Sequence, residues 1–90
     1  MEKIRKHIIF SGSVQRVGFR KRALNAALKY GVCGWVKNLS DGTVEMEAEG
    51  TENAIDSVIL SIEKGWLVRI ENLRVKSLPV CGYGNFEIRE

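Results

Sequence analysis

The sequence feature that most constrains the fold is an alternating segment behind an Asp41-Gly42 pair. Apolar and polar residues alternate from Thr43 to Glu49, which is typical of a strand with one face on a core and the other in solvent. Asp-Gly is a strong hairpin signal, so we predict a hairpin that joins strands 32–38 and 43–49. The inward positions are Val44, Met46 and Ala48, and the outward positions are Thr43, Glu45, Glu47 and Glu49.

Segments with helical periodicity flank this hairpin. The first is predicted to run from Lys21 to Tyr30, with Gly31 just beyond it as a C-terminal cap. The second follows Thr51, a good N-cap residue, and ends at Gly65. The apolar stripe of the first helix comprises Phe19, Ala23, Leu24, Ala27 and Leu28, and that of the second comprises Ile55, Val58, Ile59 and Ile62.

The remaining β-forming segments complete a known element order. Alternation predicts a first strand at 3–11, and β-formers predict a fourth at 66–76 and a short closing strand at 86–89. The order β-α-β-β-α-β predicts an α+β, ferredoxin-like sandwich: an antiparallel sheet with two helices on one face and a short extra C-terminal strand. We expect residues 1–90 to form a single domain, because no linker or repeat interrupts them.

The loop from Gly12 to Arg20 joins the first predicted strand to the first predicted helix. Backbone N–H groups at the start of a helix point outward, and the helix dipole favours an anion there. Gly12 and Gly18 allow a ligand to approach the backbone, and the planar guanidinium of Arg20 suits phosphate. The loop lacks the Lys-Ser/Thr ending of a nucleotide P-loop and the glycine spacing of a dinucleotide site, so it predicts a cradle for a phosphate group.

Together with two later segments, this loop closely resembles the acylphosphatase family. The family pattern is roughly G-x-V-Q-G-V-x-F-R, followed by G-x-x-G-W-V-x-N-x-x-D-G-x-V-E. The chain matches it at 12–20, 34–38 and 41–45, and the tail at 83–89 is similar to the family's closing strand. The resemblance covers essentially the whole chain. It implies a hydrolase that splits the carboxyl-phosphate bond of small-molecule acyl phosphates, giving carboxylate and inorganic phosphate, with no metal and no cofactor.

The resemblance also implies roles for individual residues. Arg20 would contact the phosphoryl oxygens, and Asn38 would orient the attacking water. From spacing alone, a polar residue that begins a hairpin turn is the better interpretation of Asn38. We expect the ring of Phe19 to enter the core and the amide of Gln15 to brace the loop. The phosphate-binding loop comprises Gln15, Arg16, Val17, Gly18, Phe19 and Arg20.

Arg16 departs from the family pattern, which usually has glycine at this position. If the backbone there needs a positive φ, a non-glycine residue costs about 1 kcal/mol or somewhat more. We expect Arg16 to strain the loop or crowd the site, and the opposite effect, an added phosphate ligand, stays open. One alternative function is therefore a catalytically impaired anion-binding relative.

Composition limits the other functions. The chain has one histidine and no recognisable nucleophile triad or metal-ligand cluster, so we expect chemistry that depends on binding and positioning. The net charge of +3 favours a small anion. A nucleic-acid-binding module of the same topology is a further alternative, but the outward glutamates of the hairpin would repel a phosphate backbone. An acyltransfer or carbamoyl-phosphate-handling domain, like those that open larger maturation enzymes, is a third, which the end of the sequence at Glu90 disfavours.

Further expectations concern ligands, location and thiols. We expect inorganic phosphate or sulfate to compete for the loop. No apolar segment is long enough to span a membrane, so we expect neither membrane nor nucleic-acid partners and a cytoplasmic location. Cys33 and Cys81 are expected as free thiols, although spacing does not exclude a disulfide.

Overall fold

A computed structural model of the protein describes residues 2–90. The strands and helices follow the predicted order. They are β1 (Lys3–Ser13), α1 (Phe19–Tyr30), β2 (Cys33–Asn38), β3 (Val44–Thr51), α2 (Glu52–Glu63), β4 (Arg69–Leu78) and β5 (Phe86–Ile88).

The strands form one sheet in the order β4-β1-β3-β2-β5. β1 pairs antiparallel with β3 and β4, and β2 pairs antiparallel with β3. The short β5 pairs with β2 in parallel, so the complete sheet is mixed. This arrangement confirms the ferredoxin-like α+β prediction and adds the direction of the closing strand. Since β4 and β5 occupy opposite edges, the chain must cross the whole sheet between them.

The core lies between the helices and one face of the sheet. The apolar residues predicted to face inward on β3 are all fully buried, and they meet buried residues of both helices. Phe19 is 2% exposed, and its ring lies 4.8 Å from that of Phe10 in an edge-to-face contact. The prediction that Phe19 enters the core is therefore confirmed. The largest fully buried side chains are Phe10, Phe19, Ile8, Met46, Ile55 and Ile62.

Local signals fix the helix ends. The Thr51 hydroxyl accepts a hydrogen bond from the N–H of Ala54 at 3.2 Å, as expected of an N-cap residue. Gly31 adopts a left-handed conformation with φ 72° and closes α1, as predicted for its C-cap.

Some predicted details are wrong. Leu28 was placed on the apolar stripe of α1 but is 69% exposed, because the buried face of that helix is formed by Phe19, Ala23, Ala26 and Ala27. The fourth strand begins at Arg69 instead of Trp66, since a turn follows α2 in which the N–H of Val68 donates to the carbonyl of Gly65.

Cys33 and Cys81 are both free thiols, as expected.

The outer face of the sheet, opposite the helices, carries paired charges. Glu45 accepts from His7 Nε2 at 2.7 Å and lies 3.8 Å from the ammonium of Lys37. Glu47 lies 3.5 Å from Arg5 Nη1. These glutamates are partly exposed, as predicted for outward positions.

Glu49 was predicted to face solvent but is 3% exposed. Its side chain does point to the outer face. There the segment between β4 and β5 covers it, and backbone N–H groups of residues 81–83 bind its carboxylate. The prediction failed because strand alternation says which face a side chain occupies, not whether a distant loop lies over that face.

Among the residues described, no helix is long and apolar enough to span a membrane.

Candidate active site

A cleft of about 390 Å³ opens where the loop after β1 meets the start of α1 and the end of β2. It brings together two residues that are distant in sequence, Arg20 and Asn38. The end of β5 supplies a further wall, because this strand runs parallel beside β2. The lining residues are Val14, Arg16, Gly18, Phe19, Arg20, Lys21, Asn38, Ile88 and Glu90.

The loop backbone leaves the helix start open to a ligand. Gly18 is the N-cap of α1, with φ 79°, and it makes no side-chain capping bond. The first intrahelical bond runs from the N–H of Arg22 to the carbonyl of Gly18 at 3.0 Å. The preceding N–H groups of the first turn have no partner within the helix, and this turn contains no acidic residue. These donors and the helix dipole favour an anion in the cleft.

Arg16 also has a left-handed backbone, with φ 61°. The position after Gln15 therefore needs a positive φ, as the departure from the family's glycine suggested. The side chain of Arg16 is exposed at the edge of the cleft. A cost of about 1 kcal/mol applies to a non-glycine residue in this conformation.

Gln15 ties the loop to the β2–β3 hairpin. Its Nε2 donates to the carbonyl oxygens of Leu39 at 2.7 Å and Thr43 at 2.8 Å. Leu39 directly follows Asn38, and its own N–H donates to the carbonyl of Thr43 at 2.9 Å. One side chain thus fixes the loop relative to the strand end that carries Asn38.

Arg20 and Asn38 both have polar atoms without protein partners. None of the ion pairs found between residues 2 and 90 includes Arg20, so its charge is not neutralised by a carboxylate of the described chain. The Oδ1 atom of Asn38 is buried and accepts no hydrogen bond from any described residue. Burying an acceptor in this way costs about 1–3 kcal/mol, so stability does not explain the residue.

The other loop residues divide into lining and supporting positions. Arg16, Gly18 and Phe19 line the cleft, whereas Gln15 and Val17 do not. Val17 packs against the core, and Gln15 makes the bracing contacts described above. Sequence analysis missed Lys21, Ile88 and Glu90. Lys21 could have been found as the neighbour of Arg20. Ile88 and Glu90 reach the cleft only through the parallel pairing of β5 with β2, which no local sequence pattern predicts.

Within residues 2–90, no group of three or more His, Cys, Asp or Glu side chains is placed to hold a metal ion. The donors available in the cleft are backbone N–H groups, two guanidinium groups, the ammonium of Lys21 and an amide. Such donors bind an anionic, oxygen-rich group such as phosphate.

A comparison with protein-family models identifies the family to which the chain belongs. The acylphosphatase family model matches residues 6–88. The chain belongs to the acylphosphatase family. An acylphosphatase from Synechococcus sp. (strain CC9311) is 41% identical over 88 residues, which cover 97% of this chain and 98% of that relative. The resemblance seen in the sequence is thereby confirmed, and the protein is a hydrolase that acts on acyl phosphates.

Solved structures agree with this assignment. A crystal structure of acylphosphatase from Bacillus subtilis superposes with a TM-score of 0.89 and 36% identity, covering 97% of this chain and 99% of that one. A structure of full-length HypF in a phosphate- and nucleotide-bound form matches with a TM-score of 0.88 and 34% identity, but only 12% of its chain is covered. Neither the impaired nor the nucleic-acid-binding alternative gains support from these acylphosphatase relatives.

Proposed function

We propose that this acylphosphatase hydrolyses its substrate by positioning and charge stabilisation in the cleft. The phosphoryl group binds the N–H groups at the start of α1 and the guanidinium of Arg20, while Asn38 holds a water. The water oxygen attacks phosphorus and passes a proton to a phosphoryl oxygen, the bond from phosphorus to the carboxyl oxygen breaks, and the electron pair leaves with the carboxylate, so that both water protons end on the phosphate product. The observation that carries this proposal is that Arg20, the open helix start and Asn38 share one cleft.

Acyl phosphates suit a site of this composition. A carboxylate is a good leaving group, so the reaction needs neither a strong side-chain base nor a covalent nucleophile. Positioning and electrostatic stabilisation are the main contributions of proteins to phosphoryl transfer. The proposed mechanism gives no step to a metal ion or a cofactor.

Hydrolysis of benzoyl phosphate, followed with and without EDTA, tests the proposal. We expect a rate well above the uncatalysed one that EDTA leaves unchanged, because every group in the proposed mechanism belongs to the chain. Complete loss of activity on chelation, restored by a divalent ion, would contradict the mechanism. An active protein without Arg20 or Asn38 would leave the family assignment intact and overturn only the site.

Inorganic phosphate and sulfate should inhibit competitively. Each presents tetrahedral oxygens to the donors that we assign to the phosphoryl group. The measurement is a set of initial rates at several phosphate concentrations, with NMR amide shifts to locate binding. The largest shifts are expected at residues 16–21. Shifts confined to the basic surface around Arg22 and Lys29, which lies outside the cleft, would contradict the assignment.

Arg16 adds positive charge to the cleft, in our proposal, rather than blocking it. From the sequence, we expected Arg16 to strain the loop or crowd the site. The φ of 61° supports strain, but the exposed side chain argues against crowding. Arg16→Gly should therefore weaken phosphate binding several-fold, with an effect that shrinks at high salt. Stability should change little, because relief of strain and added freedom in the unfolded chain are each worth about 1 kcal/mol.

Calorimetric titration of phosphate at two salt concentrations measures the Arg16 effect. Lys29→Ala is a suitable control, since it removes a positive charge from α1 outside the cleft. Faster turnover of Arg16→Gly with unchanged phosphate affinity would show that crowding was the correct interpretation.

A single acylphosphatase-like domain at 1–90, a cytoplasmic location and the absence of nucleic-acid partners remain parts of the proposal. Sequence composition supports them, and the paired glutamates of the outer sheet face add acidic groups where a ferredoxin-like module would bind RNA.

A further inference from the structure

Glu49 lies on the outer face of the sheet, away from the cleft, yet it makes the densest set of polar contacts in the described chain. Its Oε2 accepts from the N–H of Cys81 at 2.8 Å, and its Oε1 accepts from the N–H groups of Gly82 at 3.0 Å and Tyr83 at 2.9 Å. Hydrogen bonds from several backbone donors to one carboxylate are strong, because the acceptor is charged. The carboxylate therefore fastens the segment between β4 and β5 to the sheet.

Tyr83 makes a second attachment of the same segment. Its hydroxyl donates to Glu47 Oε1 at 2.5 Å and accepts from Trp35 Nε1 at 3.1 Å. The guanidinium of Arg5 lies 5.9 Å from the centre of the Tyr83 ring. The segment is thus held on β1, β2 and β3 at once.

This attachment precedes the strand that forms one wall of the cleft. β5 contains only three residues and has a partner on one side only. Main-chain hydrogen bonds join the residues that flank it to β2. The N–H of Gly34 donates to the carbonyl of Asn85 at 2.8 Å, and the N–H of Arg89 donates to the carbonyl of Val36 at 2.8 Å. A strand this short has little stability of its own. Phe86 anchors it in the core, and the segment that leads into it holds the chain on the outer face of the sheet, so both contribute to its position.

We propose that Glu49 is a positioning residue for acyl phosphate hydrolysis: by holding residues 81–83, it fixes Ile88 and Glu90 as the cleft wall beside Asn38. The proposal rests on the function assigned to this cleft. Ile88 and Glu90 line the same cleft as Arg20 but are not among the donors assigned to the phosphoryl group, so in this proposal they contact the acyl part of the substrate. Loosening the wall should then weaken substrate binding more than it slows the chemical step.

The ionisation of Glu49 gives the proposal a pH signature. Burial alone would raise the pKa of this carboxyl, but the N–H groups of residues 81–83 outweigh it and hold the pKa below its ordinary value. The other groups that face it are Arg5 and Cys33, its neighbours across β1 and β2, and the thiol of Cys81. Because the folded-state pKa is lowered, the attachment is fully present above the ordinary glutamate range and is lost as the pH falls through the lowered value.

Glu49→Gln tests the proposal, with Thr51→Ala as the matched control. The glutamine keeps the shape but offers only one neutral oxygen to the N–H donors. Thr51→Ala removes the N-cap of α2, a comparable local loss that lies outside the path to β5. We expect Glu49→Gln to raise the KM for benzoyl phosphate about 3- to 10-fold with kcat changed less than twofold, and amide exchange at 86–89 to quicken. Thr51→Ala should lower the Tm without either effect.

The KM ratio between Glu49→Gln and wild type should also fall toward one as the pH falls through the lowered pKa of Glu49, because the wild type then loses the same attachment. Tyr83→Phe supplies a milder variant that weakens the segment's other attachment, and it should raise KM in the same direction. Equal KM values for wild type, Glu49→Gln and Tyr83→Phe would overturn the positioning role. Inactivity of the wild type would instead overturn the function assigned to the cleft.

Discussion

Arg20→Ala should lower kcat/KM for acyl phosphates by about 10²–10³, the usual consequence of removing one preorganised electrostatic contact in an active site. Arg20 is partly buried in the cleft and forms no ion pair with a carboxylate of the described residues. Its fork presents parallel N–H donors to two phosphoryl oxygens, whose charge is redistributed as the bond to the leaving carboxylate breaks. We therefore expect the substitution to weaken substrate binding and slow turnover together.

Folding should not suffer from this change. A positive charge in the first turn of α1 opposes the helix dipole, so Arg20→Ala should leave the Tm unchanged or raise it slightly. A loss of activity without a loss of stability would separate a functional role from a structural one.

Arg22→Ala is the matched control for Arg20→Ala. Arg22 lies on the same helix and carries the same charge, but it is exposed and donates to the carbonyl of Ser61, outside the cleft. Steady-state rates with benzoyl phosphate should be near wild type for Arg22→Ala. Arg20→Lys, which keeps the charge and loses the planar fork, should be intermediate. If Arg20→Ala retained the activity of Arg22→Ala, the phosphoryl group would have to bind elsewhere.

Most of the fold could be predicted from the sequence, because its local signals agree with one another. Alternation behind Asp41-Gly42 gives a strand whose inward apolar residues are buried as predicted, although Glu49 on its other face is buried as well. Thr51 marks the start of a helix through its side-chain hydroxyl, and Gly31 marks the end of a helix through its left-handed backbone. Each of these signals acts on residues close to it in sequence. The resulting order of strands and helices is compatible with few topologies.

What the sequence did not disclose depends on contacts between distant segments. The burial of Glu49 follows from the passage of residues 81–83 over the sheet, and the cleft wall at Ile88 follows from the parallel pairing of β5. Neither segment has a periodicity that specifies its partner. A short loop rich in glycine carries almost no hydrophobic pattern, so only the folded chain shows what it covers.

The site was predictable in unequal parts. The cradle could be inferred from the loop itself, since a strand, glycines and a helix start together favour an anion. Asn38 could not, because an asparagine before a turn has an ordinary structural explanation. Its proposed role came from the family resemblance, and it lies in the same cleft as Arg20 because the β2–β3 hairpin is next to the loop, to which Gln15 joins it.

Asn38→Ala should lower kcat by about 10²–10³ while KM and the inhibition constant of phosphate change little. Our mechanism assigns the amide to the attacking water and leaves the phosphoryl group to the helix start and Arg20. The substitution also removes a buried Oδ1 that accepts no hydrogen bond from the described chain, so it should not destabilise the fold. A catalytic loss with preserved phosphate affinity is the result that identifies a water-orienting residue.

Asn72→Ala is the control for Asn38→Ala, because Asn72 is an exposed strand asparagine on β4, outside the cleft lining. It should have wild-type kinetics. Asn38→Asp keeps the size and one acceptor oxygen but brings a negative charge toward the phosphoryl group, so it should lose affinity as well as turnover. Single-turnover rates with benzoyl phosphate and phosphate titrations of the same variants separate these effects. If Asn38→Ala kept nearly full activity, the attacking water would have to be held by another cleft residue, with Glu90 the next to test, and the assignment of Asn38 would be wrong.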